Sequence, residues 1–567
     1  MTTMTAASGF DPHSPPFELP DIAGVRPPET LSMTTADGIR LDADIWRPEG
    51  DGPWPVLLQR QAYGRRIGCT ICYAHPAWYA AQGYLVVVQD VRGRGTSEGR
   101  FWPGRHEASD GAEAVEWAAK LQGSDGRVAM YGFSYQAYDQ LLAATGDCPS
   151  LAALIPAMGP WDPARTWIYE NGAFRLAQMA GWGTQVTVEG ARRLGNFKAY
   201  ARLKAAQSSL FESEVAARPA ELMASGEIGH YVDWVNRPVD DPEWERISPA
   251  ASVEKLRARG LPMFFIGGWF DSHLNSTLEA FRALDRDSDP NMRLWIGPWV
   301  HFPWERRAAG ADFGPEAIAD TDRAQIAFLD AVLKGKGLLK AEDRVRLFDM
   351  GEKSWKGSAA FPQAERKVYL TGGGRAATKI GDGGLSFSPG AGTELMVHDP
   401  WRTAPAAGPC YGPVAGPQDR RLVDERSDVM TFTAAPQSAP LVIEGPIGLR
   451  LVVSADRASF DVSTTLSVVK PDGRVLPFAA GYCHLRMRPQ APIELDLGAT
   501  SLTLLEGEAL RLSVAASDFP AHPVNPGTGE DPVRAGQASA LVTTLHVTLG
   551  EESFIRLPVA EEGGHLA

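Results

Sequence analysis

Hydrophobic and polar positions divide this chain into three regimes. Over residues 29–160, and again over 256–345, short apolar runs bounded by turn residues alternate with stretches of helical spacing. "PVLLQRQAYG", "YLVVVQDVRG", "LAALIPAMG", "LPMFFIGGWF" and "MRLWIGPWV" read as strands buried on both faces, whereas "EASDGAEAVEWAAKLQ" reads as a helix between them. Strands alternating with helices predict a mostly parallel α/β sheet. "LSMTTADGIRLDADIWRP" alternates around an Asp-Gly turn and predicts an opening hairpin. Between the two α/β parts, residues 161–255 contain Trp, Arg and Glu at helical spacing with no strand pattern, which predicts a helical cap inserted into the sheet domain. Residues 346–567 change character. "LRLVVS", "VSTTLSVV", "ALRLSVAAS" and "ALVTTLHVTLG" alternate with a period of two, and "KPDGR" is a hairpin turn, so this end should be an all-β sandwich. Residues 1–28 read as an irregular arm.

Composition adds mainly exclusions. A length of 567 residues exceeds what one core usually serves. The net charge of −14, with no Lys/Arg stripe, argues against nucleic-acid binding. The start "MTTMTAASGFDPHSPPFELPD" has neither a basic nor an apolar signal region, and no window reaches the roughly 18 apolar residues of a membrane span, so a cytoplasmic protein without membrane partners is expected. Five cysteines do not make a disulfide framework, and Cys69-x-x-Cys72 lacks a second pair or a thioredoxin-like setting; two half-buried thiols are expected. His75, His106, His230 and His484 have no partner at metal-ligand spacing, so no metal and no cofactor is assigned. "GRGTSEG" lacks the Gly-Lys-Ser/Thr ending of a phosphate loop and reads as a turn bracing the sheet. His546 reads as a surface residue of an alternating strand.

The chemistry concentrates at "RVAMYGFSYQAYDQLLAAT" (127–145), apolar residues followed by Gly-Phe-Ser and a helical pattern. This is the order strand, turn, helix, which can push Ser134 into solvent at the top of a sheet. A serine hydroxyl needs a base to take its proton, and the base needs an acid to hold its tautomer. In α/β-hydrolases the chain order is Ser, Asp or Glu, then His, each following a strand. Asp271 follows "MFFIGGWF" and His301 follows "RLWIGPWV", in that order, and the cap fills the long gap after Ser134. The alternatives are that Ser134 is a plain turn serine, that Asp271 caps the next helix, and that His273, two residues on, is the base.

The chain resembles the family of cocaine esterase, α-amino acid ester hydrolases and X-Pro dipeptidyl peptidases. The resemblance runs in order through "QDVRGRGTSEGRF" (89–101), "GFSY" (132–135), "DDPEWERISP" (240–249), "GGWFD" (267–271), "IGPWVH" (296–301), "GPQDRRLVDERSDVMTFT" (416–433) and "SDFPAHPVNPGTG" (517–529). It implies an α/β-hydrolase core with a helical cap and a C-terminal jelly-roll-like sandwich. It implies Ser134 as nucleophile, His301 as general base and then acid, and Asp271 as the group orienting His301. The Tyr63 hydroxyl and the backbone N–H of Tyr135 would form the oxyanion hole. Ala137 stands where the family usually has glycine, and Ala62 where it has proline before the oxyanion tyrosine. Trp161, Trp167, Tyr169, Phe174 and Trp182 begin the cap; most should be its core, with Trp167, Trp182 and Phe270 as candidate pocket wall.

The expected activity is a cofactor-independent serine hydrolase acting on a small-molecule ester or acyl-amide through an acyl-enzyme on Ser134. The rival readings are an X-Pro dipeptidyl aminopeptidase, an acyltransferase using the same acyl-enzyme, and a non-catalytic binding protein on this fold. A peptidase or amino-ester hydrolase would need a carboxylate for the substrate ammonium, for which Glu170, Asp162 and Asp233 are the cap candidates. The oligomeric state stays open, a homodimer through the sandwich being one arrangement the sequence allows.

Overall fold

The structure, a computed structural model, describes residues 22–286, 289–302, 304–410, 415–486, 489 and 491–559. Most of the arm expected over 1–28 lies outside these residues.

Ten strands form the central sheet: β1 (Glu29–Thr34), β2 (Arg40–Trp46), β3 (Trp54–Gln61), β4 (Leu85–Asp90), β5 (Ser124–Phe133), β6 (Leu151–Ala157), β7 (Met263–Gly268), β8 (Met292–Gly297), β9 (Val345–Asp349) and β10 (Ser354–Ser358). Their order is β1-β2-β4-β3-β5-β6-β7-β8-β9-β10. β1 and β2 form the expected antiparallel hairpin, while β4, β3 and β5 through β9 run parallel. Both faces of the sheet are covered, and β4 shows why its sequence is a continuous apolar run. Leu85 and Val87 enter one hydrophobic core, Val86 and Val88 the other, and all four are fully buried.

Two expectations need correction. β9 and β10 belong to this sheet, so the hydrolase core extends to Ser358 and not to 345. β9 pairs parallel with β8, Leu294 opposite Val345. The change of character placed at 345 therefore falls inside the hydrolase sheet, which ends with β9 and β10. The cap also contains strand, a two-residue ribbon pairing Tyr169–Glu170 with Ala173–Phe174, within an otherwise helical segment led by Leu176–Arg193 and Phe197–Ala206.

The C-terminal part is β-rich, as the jelly-roll-like expectation holds. Its eleven strands among the described residues include Leu441–Ala455, whose residues alternate buried and outward along almost its whole length. A register shift between Pro446 and Gly448 interrupts its pairing with Ile493–Leu504. The "KPDGR" turn joins the antiparallel strands Phe460–Val469 and Val475–Leu485. His546 lies half-buried in the strand Thr543–Thr548. Among the described residues no helix is long and apolar enough to cross a membrane, and no group of three His, Cys, Asp or Glu is placed to hold a metal.

Candidate active site

Ser134 occupies the turn between β5 and the helix α1 (Tyr135–Ala143). Its backbone is left-handed, φ 62° and ψ −118°, a conformation that costs a β-carbon residue energy and is retained where the surrounding structure enforces it. The Ser134 N–H donates to Ala157 O at 2.9 Å, tying the turn to β6. Gly132 is required here, because a Cβ on it would stand 2.3 Å from Cβ of Gln136. The result is the strand-turn-helix elbow expected from the sequence.

Asp271 and His301 reach Ser134 from the ends of β7 and β8. His301 Nε2 lies 3.0 Å from Ser134 Oγ, and His301 Nδ1 lies 2.7 Å from Asp271 Oδ1. Asp271 is fully buried. With Nδ1–H facing the carboxylate, Nε2 is left to accept the serine proton. The Phe133 ring packs on the imidazole at 4.7 Å between centroids and restricts its rotation.

The histidine hydrogen-bonded to Ser134 is His301, not His273. His273 is buried, its ring lies 5.3 Å from that of His301, and its Nε2 faces Nε2 of Gln178 at 3.2 Å. Burial, followed by the charges of His301 and Arg175, holds His273 well below the usual histidine pKa.

Two donors flank the serine. The N–H of Tyr135 opens α1 and has no intrahelical acceptor. The phenol of Tyr135 is anchored beneath it, donating to Glu107 Oε1 at 2.7 Å and accepting from the N–H of Gly104 at 3.0 Å. Arg60 in turn donates to Glu107 Oε2 at 2.6 Å. Tyr63, just past β3, places its hydroxyl beside Ser134 and accepts the indole N–H of Trp182 at 3.1 Å. Burial raises the Tyr63 phenol pKa, and hydrogen bonding with Trp182 and with Ser134 opposes that shift.

A cavity of about 260 Å³ opens over Ser134. The cap helix α2 (Leu176–Arg193) contributes Gln178, Trp182 and Gln185, spaced i, i+4 and i+7 on one face. Trp167 and Trp182 line this cavity; Phe270 does not. It is 1% exposed, stacks on Phe313 at 5.6 Å and lines a separate cavity with Phe478 of the sandwich. Its neighbour Asp271 turns toward His301, which sends the Phe270 side chain elsewhere. Sequence reasoning missed Gln178, Gln185 and Phe302 as lining; the helical spacing around Trp182 and the position next to His301 were the available signals.

Glu170, Asp162 and Asp233 are all absent from this lining. The Gly93–Gly99 stretch is a bracing turn, with Ser97 Oγ donating to Asp90 O at 2.7 Å. Cys69 and Cys72 are free thiols, each pushed up to about 12 by burial.

A serine on an α/β elbow, hydrogen-bonded to a histidine that a buried aspartate holds, is the constellation of a serine hydrolase. Comparison with known proteins agrees. Residues 37–303 match the model of the X-Pro dipeptidyl-peptidase (S15 family), and residues 337–555 that of the X-Pro dipeptidyl-peptidase C-terminal non-catalytic domain. The chain is 30% identical to cocaine esterase of Rhodococcus sp. (strain MB1 Bresler) over 531 residues, covering 87% of this chain and 91% of that protein. Among solved structures it is similar to an α-amino acid ester hydrolase, with a TM-score of 0.74 and 22% identity over 98% of this chain and 100% of that one. An aminopeptidase from a marine sediment Thaumarchaeota archaeon gives a TM-score of 0.78 at 20% identity, over 99% of this chain and 100% of that one. The chain belongs to the S15-type serine hydrolase family that includes cocaine esterase.

Proposed function

We propose that this enzyme is an esterase for uncharged, largely apolar acyl groups, working through an acyl-enzyme on Ser134. The observation that carries this reading is the lining of the cavity above Ser134. Trp167, Met179 and Trp182 wall it, Gln178, Gln185, Gln136 and Ser272 are among its neutral polar groups, and among the described residues none of the lining is Asp or Glu. A substrate ammonium would have to enter without a counter-charge, which is costly in a partly closed site. Glu170 lies instead near Arg175, at 3.9 Å, and Asp233 accepts from Arg237 at 2.8 Å.

In this mechanism His301 takes the Ser134 proton as Oγ attacks the ester carbonyl. The oxyanion receives hydrogen bonds from the Tyr63 hydroxyl and the Tyr135 N–H. Collapse expels the alcohol, protonated by His301, and leaves the acyl group on Oγ. A water deprotonated by His301 then attacks, and the acid departs as Ser134 regains its proton. Removal of one oxyanion donor typically slows such chemistry by about 10²- to 10³-fold.

The test compares kcat/KM on p-nitrophenyl benzoate, an α-amino-acyl p-nitrophenyl ester and an X-Pro p-nitroanilide, with Ser134→Ala alongside. Turnover of the benzoate well above the other two, lost in Ser134→Ala, is the expected result. Preference for either amino-terminal substrate would overturn the proposed acyl class. Benzoate turnover within a few-fold of wild type in Ser134→Ala would overturn the nucleophile.

A further inference from the structure

Trp182 touches both residues that supply the oxyanion donors. Its indole N–H donates to Tyr63 Oη at 3.1 Å, and its ring lies over that of Tyr135 at 6.1 Å with an interplanar angle of 24°. The indole has a single donor and no acceptor. A phenol oxygen has one proton to give and two acceptor positions. Filling one of those positions from the Trp182 side removes that direction for the phenolic proton and leaves the side on which Ser134 stands. The ring itself is held in an aromatic cluster. Trp167 lies at 5.5 Å, Trp234 at 5.6 Å and His230 at 4.8 Å between centroids. Among the described residues neither ring nitrogen of the buried His230 has a hydrogen-bond partner, so His230 does not compete for the indole N–H.

We infer that Trp182 is a positioning residue for the reaction, its indole N–H setting the Tyr63 hydroxyl so that the phenolic proton faces the developing oxyanion. This rests on the proposed role of Tyr63 as an oxyanion donor. It goes beyond Trp182 as pocket wall, because a wall acts on the acyl group it contacts, whereas positioning Tyr63 acts on every acyl group. The cap thereby supplies part of the transition-state machinery and not only the shape of the cavity.

The two roles separate in a double-mutant cycle of Trp182→Phe and Tyr63→Phe, read on p-nitrophenyl acetate and p-nitrophenyl benzoate. Phenylalanine keeps an aromatic ring at position 182 and removes the donor. Expected for Trp182→Phe is a fall in kcat of about tenfold on both esters, equivalent to about 1.4 kcal/mol, with KM within about twofold. Tyr63→Phe should lose about 10²-fold, and adding Trp182→Phe to it should cost little more, because the bond it removes is already absent.

Equal loss from Trp182→Phe in both backgrounds, loss confined to the benzoate, or loss in KM alone would overturn the inference while leaving the role of Tyr63 intact. An undiminished kcat in Tyr63→Phe would instead remove the oxyanion role of Tyr63 and this inference with it. If Trp182→Phe unfolds the cap, β-(3-benzothienyl)alanine at position 182 replaces the N–H by sulfur in a ring of the same size. The same cycle then decides.

Discussion

Ala137 and Gly159 meet behind the nucleophile: a Cβ on Gly159 would stand 2.4 Å from Cβ of Ala137. Ala137 is fully buried on α1, where the family usually has glycine, and the loop after β6 provides the room that its methyl group needs. The same built Cβ would approach the Ser134 carbonyl oxygen at 3.1 Å, so the contact bears on the elbow itself. Gly159→Ala should therefore destabilise the protein by about 1–3 kcal/mol and lower kcat. Ala137→Gly in the same chain should recover part of both. Thermal unfolding and ester kinetics on the two single variants and the double variant check this.

Phe270→Ala should damage stability and spare substrate binding. Its side chain is buried against Phe313, outside the cavity over Ser134, and truncating a buried phenylalanine typically costs about 3–5 kcal/mol. The expected outcome is a clearly lowered Tm with KM changed less than about twofold in the fraction that remains folded. Trp167→Phe, at the wall, should instead shift KM between acetyl and benzoyl esters.

His230 makes the cap acid-sensitive. Burial, and secondarily the charge of Arg94, holds its pKa down at about 3 against the usual 6.5. The unfolded chain therefore binds a proton that the folded chain refuses. The stability linked to this difference is present in full above about pH 6.5 and is lost as pH falls toward 3, at up to about 1.4 kcal/mol per pH unit. His230→Phe should narrow the Tm gap between pH 7 and pH 5, as differential scanning calorimetry would show.

Glu279 gives the opposite sign. It lies on the helix Leu274–Leu284, and burial, only partly offset by Arg165, raises its pKa to about 7 from 4.5. The folded protein holds a proton that the unfolded chain has released, so the linked stability is complete below about pH 4.5 and is lost as pH rises through 7. Glu279→Gln should raise Tm at pH 8 and change it little at pH 4.5. An equal effect at both pH values would contradict this account.

The sequence by itself determined the α/β core, the elbow at Ser134 and the Ser, Asp, His order. Those features are local: a buried strand needs a continuous apolar run, and the residue that ends it is polar and followed by a turn. Asp271 and His301 were legible for that reason, as was the alternation of the sandwich strands. Tertiary structure alone decided the rest. β9 joined the hydrolase sheet because it pairs with β8, a choice that five residues of sequence cannot express. Phe270 and His273 lie within two residues of Asp271, yet His273 lines the cavity and Phe270 packs toward the sandwich, because the chain turns there and neighbouring side chains diverge. The bond from Trp182 to Tyr63 spans 119 positions of sequence and two domains. Nothing in either local pattern encodes it; the packing of the cap onto the sheet creates it.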